Sequence, residues 1–149
     1  MNIHVGDVSH IIQLAIAPVF LLSGIGPHLI VLTNRLARII DRSRDLEDRL
    51  RVPEGADRSV FCEELEILFR RAHLINRAIT LSASCALLVC LVVAALFMGD
   101  ALDLELDRII AGFFVLAMLC LIGSFSFLLR EIFIATRSLS MSYVFKSRQ

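Results

Sequence analysis

Three long apolar segments dominate the sequence, at residues 11–33, 78–98 and 109–129. None of the three contains an Asp, Glu, Lys or Arg. About 20 apolar residues in a helix cross the hydrocarbon core of a bilayer, so each segment is long enough to span one. The pattern predicts an all-α, three-span integral membrane protein that forms a single membrane domain over residues 1–149.

The basic residues are distributed asymmetrically around these segments. Fourteen of the fifteen Lys and Arg lie in the insert 34–77 or in the tail 130–149, whereas residues 1–10 carry none and residues 99–108 carry only Arg108. Basic flanks face the cytoplasm in most membrane proteins. We therefore expect a cytoplasmic insert and a cytoplasmic C-terminal tail, with the N-terminus outside. Since residues 1–10 also lack the positive charge of a signal peptide, the first span is expected to remain uncleaved.

The insert has the pattern of two helices separated by the turn residues 52–55. Apolar residues recur at helical spacing before the turn, and they step alternately four and three residues apart after it. This predicts a cytoplasmic antiparallel coiled-coil hairpin between the first and second spans. The hairpin would either stiffen the bundle or dock another protein. Its predicted seam consists of Leu36, Ile40, Leu46, Leu50, Phe61, Leu65, Leu68, Ala72 and Ile75.

The first span differs from the other two in its proline and polar residues. Pro18 and Pro27 each remove a backbone donor and favour a kink, and residues 24–27 suggest a bend or local unwinding. Its small and polar side chains share one arc of about 120° at about 100° per residue. This face is either a tight interface between helices or the lining of a pathway. The candidate residues are Gln13, Gly24, Pro27, His28 and Asn34.

His28 is the ionisable group of special interest, because it lies within a predicted span. It is either a neutral histidine bonded to a neighbouring helix or a group that senses or carries protons.

No recognisable catalytic, cofactor-binding or metal-binding motif is present. The four cysteines have no C-x-x-C spacing, and the histidines have no metal-ligand spacing with other side chains. The net charge of zero gives no field that would attract nucleic acid. We expect a protein that is not an enzyme and has neither cofactor nor metal.

The stretches APVFLLSGIGPHLIVLTNRLARIIDRSRDLE (17–47) and RRAHLINRAI (70–79) resemble a family of small bacterial membrane proteins catalogued as domain of unknown function 2721. The resemblance covers roughly residues 5–140. It implies a three-span protein of the bacterial inner membrane and supplies no catalytic residues.

Two functions fit these observations. The first is a homo-oligomer in which the kinked first helices meet and line an ion or small-solute pathway, since a small protomer encloses a pore only by repeating around an axis. The alternative is an insertase-like or chaperone-like scaffold whose hairpin binds a cytoplasmic protein partner. The layout is similar to that of Oxa1-type insertases, although the charged groove residue of some insertases is missing.

Overall fold

The computed structural model describes the backbone of residues 5–50, 58–102 and 107–146, which forms three long helices. These are α1 (Val5–Leu50), α2 (Arg58–Leu102) and α3 (Asp107–Lys146). Each helix contains one predicted span and continues beyond it into the flanking polar sequence. The predicted turn at 52–55 lies outside the described residues.

Helix α1 remains helical through both of its prolines, Pro18 and Pro27. Local unwinding at 24–27, one of the two possibilities that the sequence raised, therefore does not occur. A proline ring leaves the carbonyl four residues earlier without its helical donor, so a bend is compatible with the continuous assignment.

All three helices contain windows that are long and apolar enough to cross a membrane. They lie within Ile12–Asp48, Phe61–Gly99 and Asp107–Thr136, and only 17%, 22% and 11% of the residues in these windows are buried. Exposed apolar side chains suit a lipid environment, which is as apolar as the side chains themselves. The prediction of an all-helical chain with three membrane-length apolar helices is confirmed.

The chain divides into two compact units. The first contains residues 1–30 and 80–123. Its core is formed by Ile25 of α1, Cys85 and Val89 of α2, and Ala117 of α3. Small and β-branched side chains at this core let the three helices approach closely. Gly123 contributes to the same packing, because a Cβ there would lie 3.1 Å from Leu81 Cδ1.

The second unit contains residues 31–79 and 124–149. Its core joins α1 and α2 through a row of buried aliphatic side chains, and Phe127 and Leu128 of α3 pack against that row. A buried hydroxyl adds a polar contact, since Ser124 Oγ donates to the carbonyl of Ala78 over 2.8 Å. The buried members of the row are Leu32, Ile39, Leu46, Leu68, Ile75 and Ala78.

Candidate functional site

The most unusual side chain of the second unit is Glu131, a carboxylate that is 0% exposed on α3. Arg35 of α1 donates to its Oε2 from Nη1 at 2.7 Å. Arg71 of α2 donates to its Oε1 from Nε at 3.0 Å and from Nη2 at 2.7 Å. One acidic side chain therefore bonds to both of the other helices. We call these three residues the Glu131 cluster.

The geometry of the Glu131 cluster explains how a carboxylate tolerates complete burial. An isolated buried charge loses its hydration at a cost of several kcal/mol, and it is retained only with good pairing. Both oxygens of Glu131 accept charge-assisted bonds, which are about twice as strong as neutral ones. The Arg35 and Arg71 side chains stay 31% and 21% exposed, so water still reaches them. The cluster carries two positive charges and one negative charge.

Helical spacing brings Glu131 to this position. Ser124, Phe127, Leu128 and Glu131 follow one another at three, one and three residues, which places them on a single face of α3. Phe127 and Leu128 pack against the core of the second unit, and Ser124 bonds to α2. The packing of Phe127 and Leu128, one turn before Glu131 on the same face, therefore directs the carboxylate inward.

Beside the cluster lies a cavity of about 280 Å³, which we call the arginine pocket. Arg42 is held there by Glu64 of α2, which accepts from Nε at 3.1 Å and from Nη2 at 2.9 Å, and by Asp45 at 3.1 Å from Nη1. Arg38 forms no ion pair with any residue that the structure describes. The lining consists of Arg35, Arg38, Ile39, Arg42, Leu68 and Arg71.

Most residues of the predicted polar face of the first span are exposed. In the first unit Gln13, Gly24 and Pro27 are exposed and His28 is half-buried, and in the second unit Asn34 is exposed. A Cβ at Gly24 would meet nothing within 4 Å, so this glycine leaves an open depression.

Phe20 lies on the same arc of α1 as Gly24, four residues earlier, and the sequence prediction left it out. It is 73% exposed. A large exposed ring one turn from an open glycine is a protrusion beside a depression. Its position was derivable from the 100° helical step, but the prediction considered only small and polar residues.

Most of the predicted seam residues lie together in the second unit. Leu46, Leu68 and Ile75 are buried in one cluster, and four others pack against it, namely Leu36, Phe61, Leu65 and Ala72. The exception is Ile40, which is 38% exposed, whereas its neighbour Ile39 is 5% exposed and occupies the core. The two residues are about 100° apart on α1, so only one can face α2. Leu50 has no described side chain.

Candidate metal ligands do not cluster in the described part of the chain. No three His, Cys, Asp or Glu side chains cluster there as a metal ion would require. Cys62, Cys85, Cys90 and Cys120 carry free thiols.

Three helices that are long and apolar enough to cross a membrane indicate a multi-pass helical membrane protein. A family model described as a protein of unknown function, DUF2721, matches residues 15–141, and the chain belongs to that family. This confirms the resemblance seen in the sequence. No curated protein and no solved structure matches the chain.

Proposed function

We propose that the protein is a homo-oligomeric membrane assembly in which copies meet through the exposed face of α1. The observation that supports this most directly is that Phe20 and Gly24 lie one turn apart on that face. The ring is 73% exposed and the glycine is open. Small residues let transmembrane helices approach closely, and association in lipid depends on such packing. A ring from one copy fits the depression of the next.

The polar residues of the same face favour contact with protein or water over contact with lipid. Gln13 is exposed on α1, and an unsatisfied polar group costs several kcal/mol in hydrocarbon. Pro18 and Pro27 each remove the helical donor of the carbonyl four residues earlier, which adds to that requirement. A second copy would cover these groups, or would enclose water against them.

We further propose that the assembly conducts ions or small solutes and is not an enzyme. Gln13, Gly24, Pro27 and His28 would line the pathway, with Asn34 further along α1. The small cross-section of a three-helix protomer requires repetition around an axis before a pore can be enclosed.

The proposed orientation places the N-terminus outside and the C-terminus in the cytoplasm of a bacterium, across its inner membrane. The distribution of Lys and Arg supports it, since fourteen of fifteen lie in residues 34–77 and 130–149. The insert 34–77 and the tail 130–149 would then be cytoplasmic, and the polar ends of α1 and α2 would form an antiparallel coiled-coil hairpin. Their shared core and the Arg42–Glu64 ion pair support that pairing.

Native mass spectrometry of protein released from lipid nanodiscs tests the assembly. We expect one closed oligomer of about four to six copies, because repetition around a rotation axis is what would enclose a pore. Gly24→Leu should shift the distribution toward monomers, because the larger side chain fills the depression. Gly26→Leu is the matched control, since Gly26 is equally open but lies about 160° away around α1. A monomeric wild-type protein would contradict the proposal.

Flux into liposomes tests the pathway separately. His28→Ala and Gln13→Leu should each change the rate of ion flux. If the wild-type oligomer conducts and both substitutions leave its flux unchanged, α1 does not line the route.

The scaffold alternative draws support from the second unit. The Glu131 cluster and the Arg42–Glu64 pair would hold a projecting hairpin at a fixed angle, which suits the recruitment of a partner protein. Deletion of residues 46–66 should then abolish recovery of the partner from membranes while insertion of the three spans continues. Unchanged recovery would exclude the hairpin as the docking element.

A further inference from the structure

The arginine pocket carries more positive than negative charge. Four guanidinium groups line it. The carboxylates bonded to them are Glu131, Glu64 and Asp45, and Glu131 serves two arginines. Arg38 has no carboxylate partner among the described residues. Among the residues that the structure describes, four guanidinium groups therefore face three carboxylates, which leaves one positive charge at the pocket uncompensated.

Hydrogen-bond donors also remain available at the pocket. Arg35 uses only Nη1, and Arg71 uses Nε and Nη2, in the bonds to described residues. Each guanidinium has five N–H donors, so both arginines retain donors beyond those that Glu131 takes. Planar donor groups of this kind match the oxygens of a phosphate.

The position of the pocket along the chain indicates where its ligand would come from. Arg35 is the second residue after the apolar segment 11–33, and Glu131, its partner on α3, is the second residue after the apolar segment 109–129. The part of the pocket formed by Arg35, at the end of a membrane-length apolar segment, therefore lies at the level of the lipid headgroups. Basic pockets between helices at this level are suited to anionic headgroups.

We propose that the arginine pocket binds the phosphate group of an anionic phospholipid. Arg38 contributes the uncompensated charge, and Arg35 and Arg71 contribute donors while remaining bonded to Glu131. Ile39 and Leu68 supply an apolar wall on which the glycerol portion can pack. This inference does not require the protein to be an oligomer or a channel.

The test measures lipid retained by the full-length protein in native mass spectrometry, after titration with phosphatidylglycerol or with phosphatidylcholine in detergent. Wild-type protein should retain phosphatidylglycerol preferentially. Arg38→Gln should weaken that retention about fivefold, since a basic residue near an anionic lipid contributes roughly this factor. Arg44→Gln is the control, because Arg44 is an exposed arginine of the same helix that does not line the pocket.

Equal retention of phosphatidylglycerol and phosphatidylcholine would overturn the proposal, and so would an equal effect of the two arginine substitutions. A parallel arm uses inorganic phosphate as the competitor. If millimolar phosphate displaces the lipid completely, the pocket recognises a free anion and the lipid assignment is wrong. Circular dichroism of Arg38→Gln verifies that the helices are intact, so that a loss of binding is attributable to the pocket.

Discussion

Glu131→Gln isolates the electrostatic contribution of the Glu131 cluster, because glutamine has nearly the same size and removes only the charge. In the native protein three charge-assisted bonds of 2.7–3.0 Å converge on the two carboxylate oxygens. The amide keeps one acceptor oxygen and turns an NH₂ group toward a guanidinium. At least one arginine therefore loses its bond, and both lose the opposite charge.

The size of the effect follows from burial. Removing one partner of a buried ion pair costs about 3–5 kcal/mol, because the remaining charge is left uncompensated. Arg35 and Arg71 are 31% and 21% exposed, so water partly solvates them once the carboxylate is lost. We expect the lower end of the range, about 3 kcal/mol of unfolding free energy, which is on the order of a hundredfold in the equilibrium constant.

Unfolding in mixed detergent micelles, followed by circular dichroism, measures this difference. Glu66→Gln is the control, because Glu66 is an exposed glutamate of α2, and its loss should change stability by about 0.5 kcal/mol or less. In a double-mutant cycle with Arg71→Met, the coupling energy should be about 1–3 kcal/mol. A Glu131→Gln variant as stable as the Glu66 control would refute the reasoning.

Two further substitutions address the packing of the second unit and its polar contact. Ile75→Ala should destabilise the protein by about 2–5 kcal/mol in the same unfolding assay, because Ile75 is fully buried, whereas the exposed Ile109→Ala should cost about 0.5 kcal/mol or less. Ser124→Ala should cost about 0.6 kcal/mol, the average for a side-chain hydrogen bond between membrane helices, through loss of the 2.8 Å bond to the Ala78 carbonyl. Ser126→Ala, at an exposed site on the same helix, should cost less, and an equal cost would show that the interhelical bond contributes nothing.

The helices were predictable from the sequence for a simple reason. A long run without charged residues has one stable form in a bilayer, which is a helix. The helical repeat of the insert then indicated that α1 continues past the first span and that α2 begins before the second; in the structure α1 ends at Leu50 and α2 begins at Arg58. Both signals depend on composition and period and need no knowledge of tertiary contacts.

The sequence did not indicate which of the two neighbours, Ile39 or Ile40, lies in the core. Both are apolar, adjacent and compatible with the spacing of the other core residues. The structure buries Ile39 and exposes Ile40, because the rotation of α1 is set by its contacts with α2. A heptad count on one helix cannot determine that rotation where two neighbouring residues are equally apolar.

The Glu131 cluster was missed because its members are far apart in sequence. Arg35 and Glu131 are separated by 96 residues, and the tail was interpreted only by its positive charge. A signal was nevertheless present. Glu131 is flanked by the apolar residues 127–129 and 132–135 apart from Arg130, and it continues the helical face of Ser124 and Phe127. An acid on the inward face of a membrane helix requires a cationic partner.

The shared carboxylate also has a consequence for biosynthesis. During translation the arginines of α1 and α2 emerge first, and their counter-charge is supplied only when α3 has been made. Until then Arg35 and Arg71 lack the carboxylate to which both of them donate in the folded protein. The second unit thus gains the carboxylate that bonds both arginines only in a chain that extends past Glu131, which couples the packing of α1 and α2 around this ion cluster to the synthesis of the third helix.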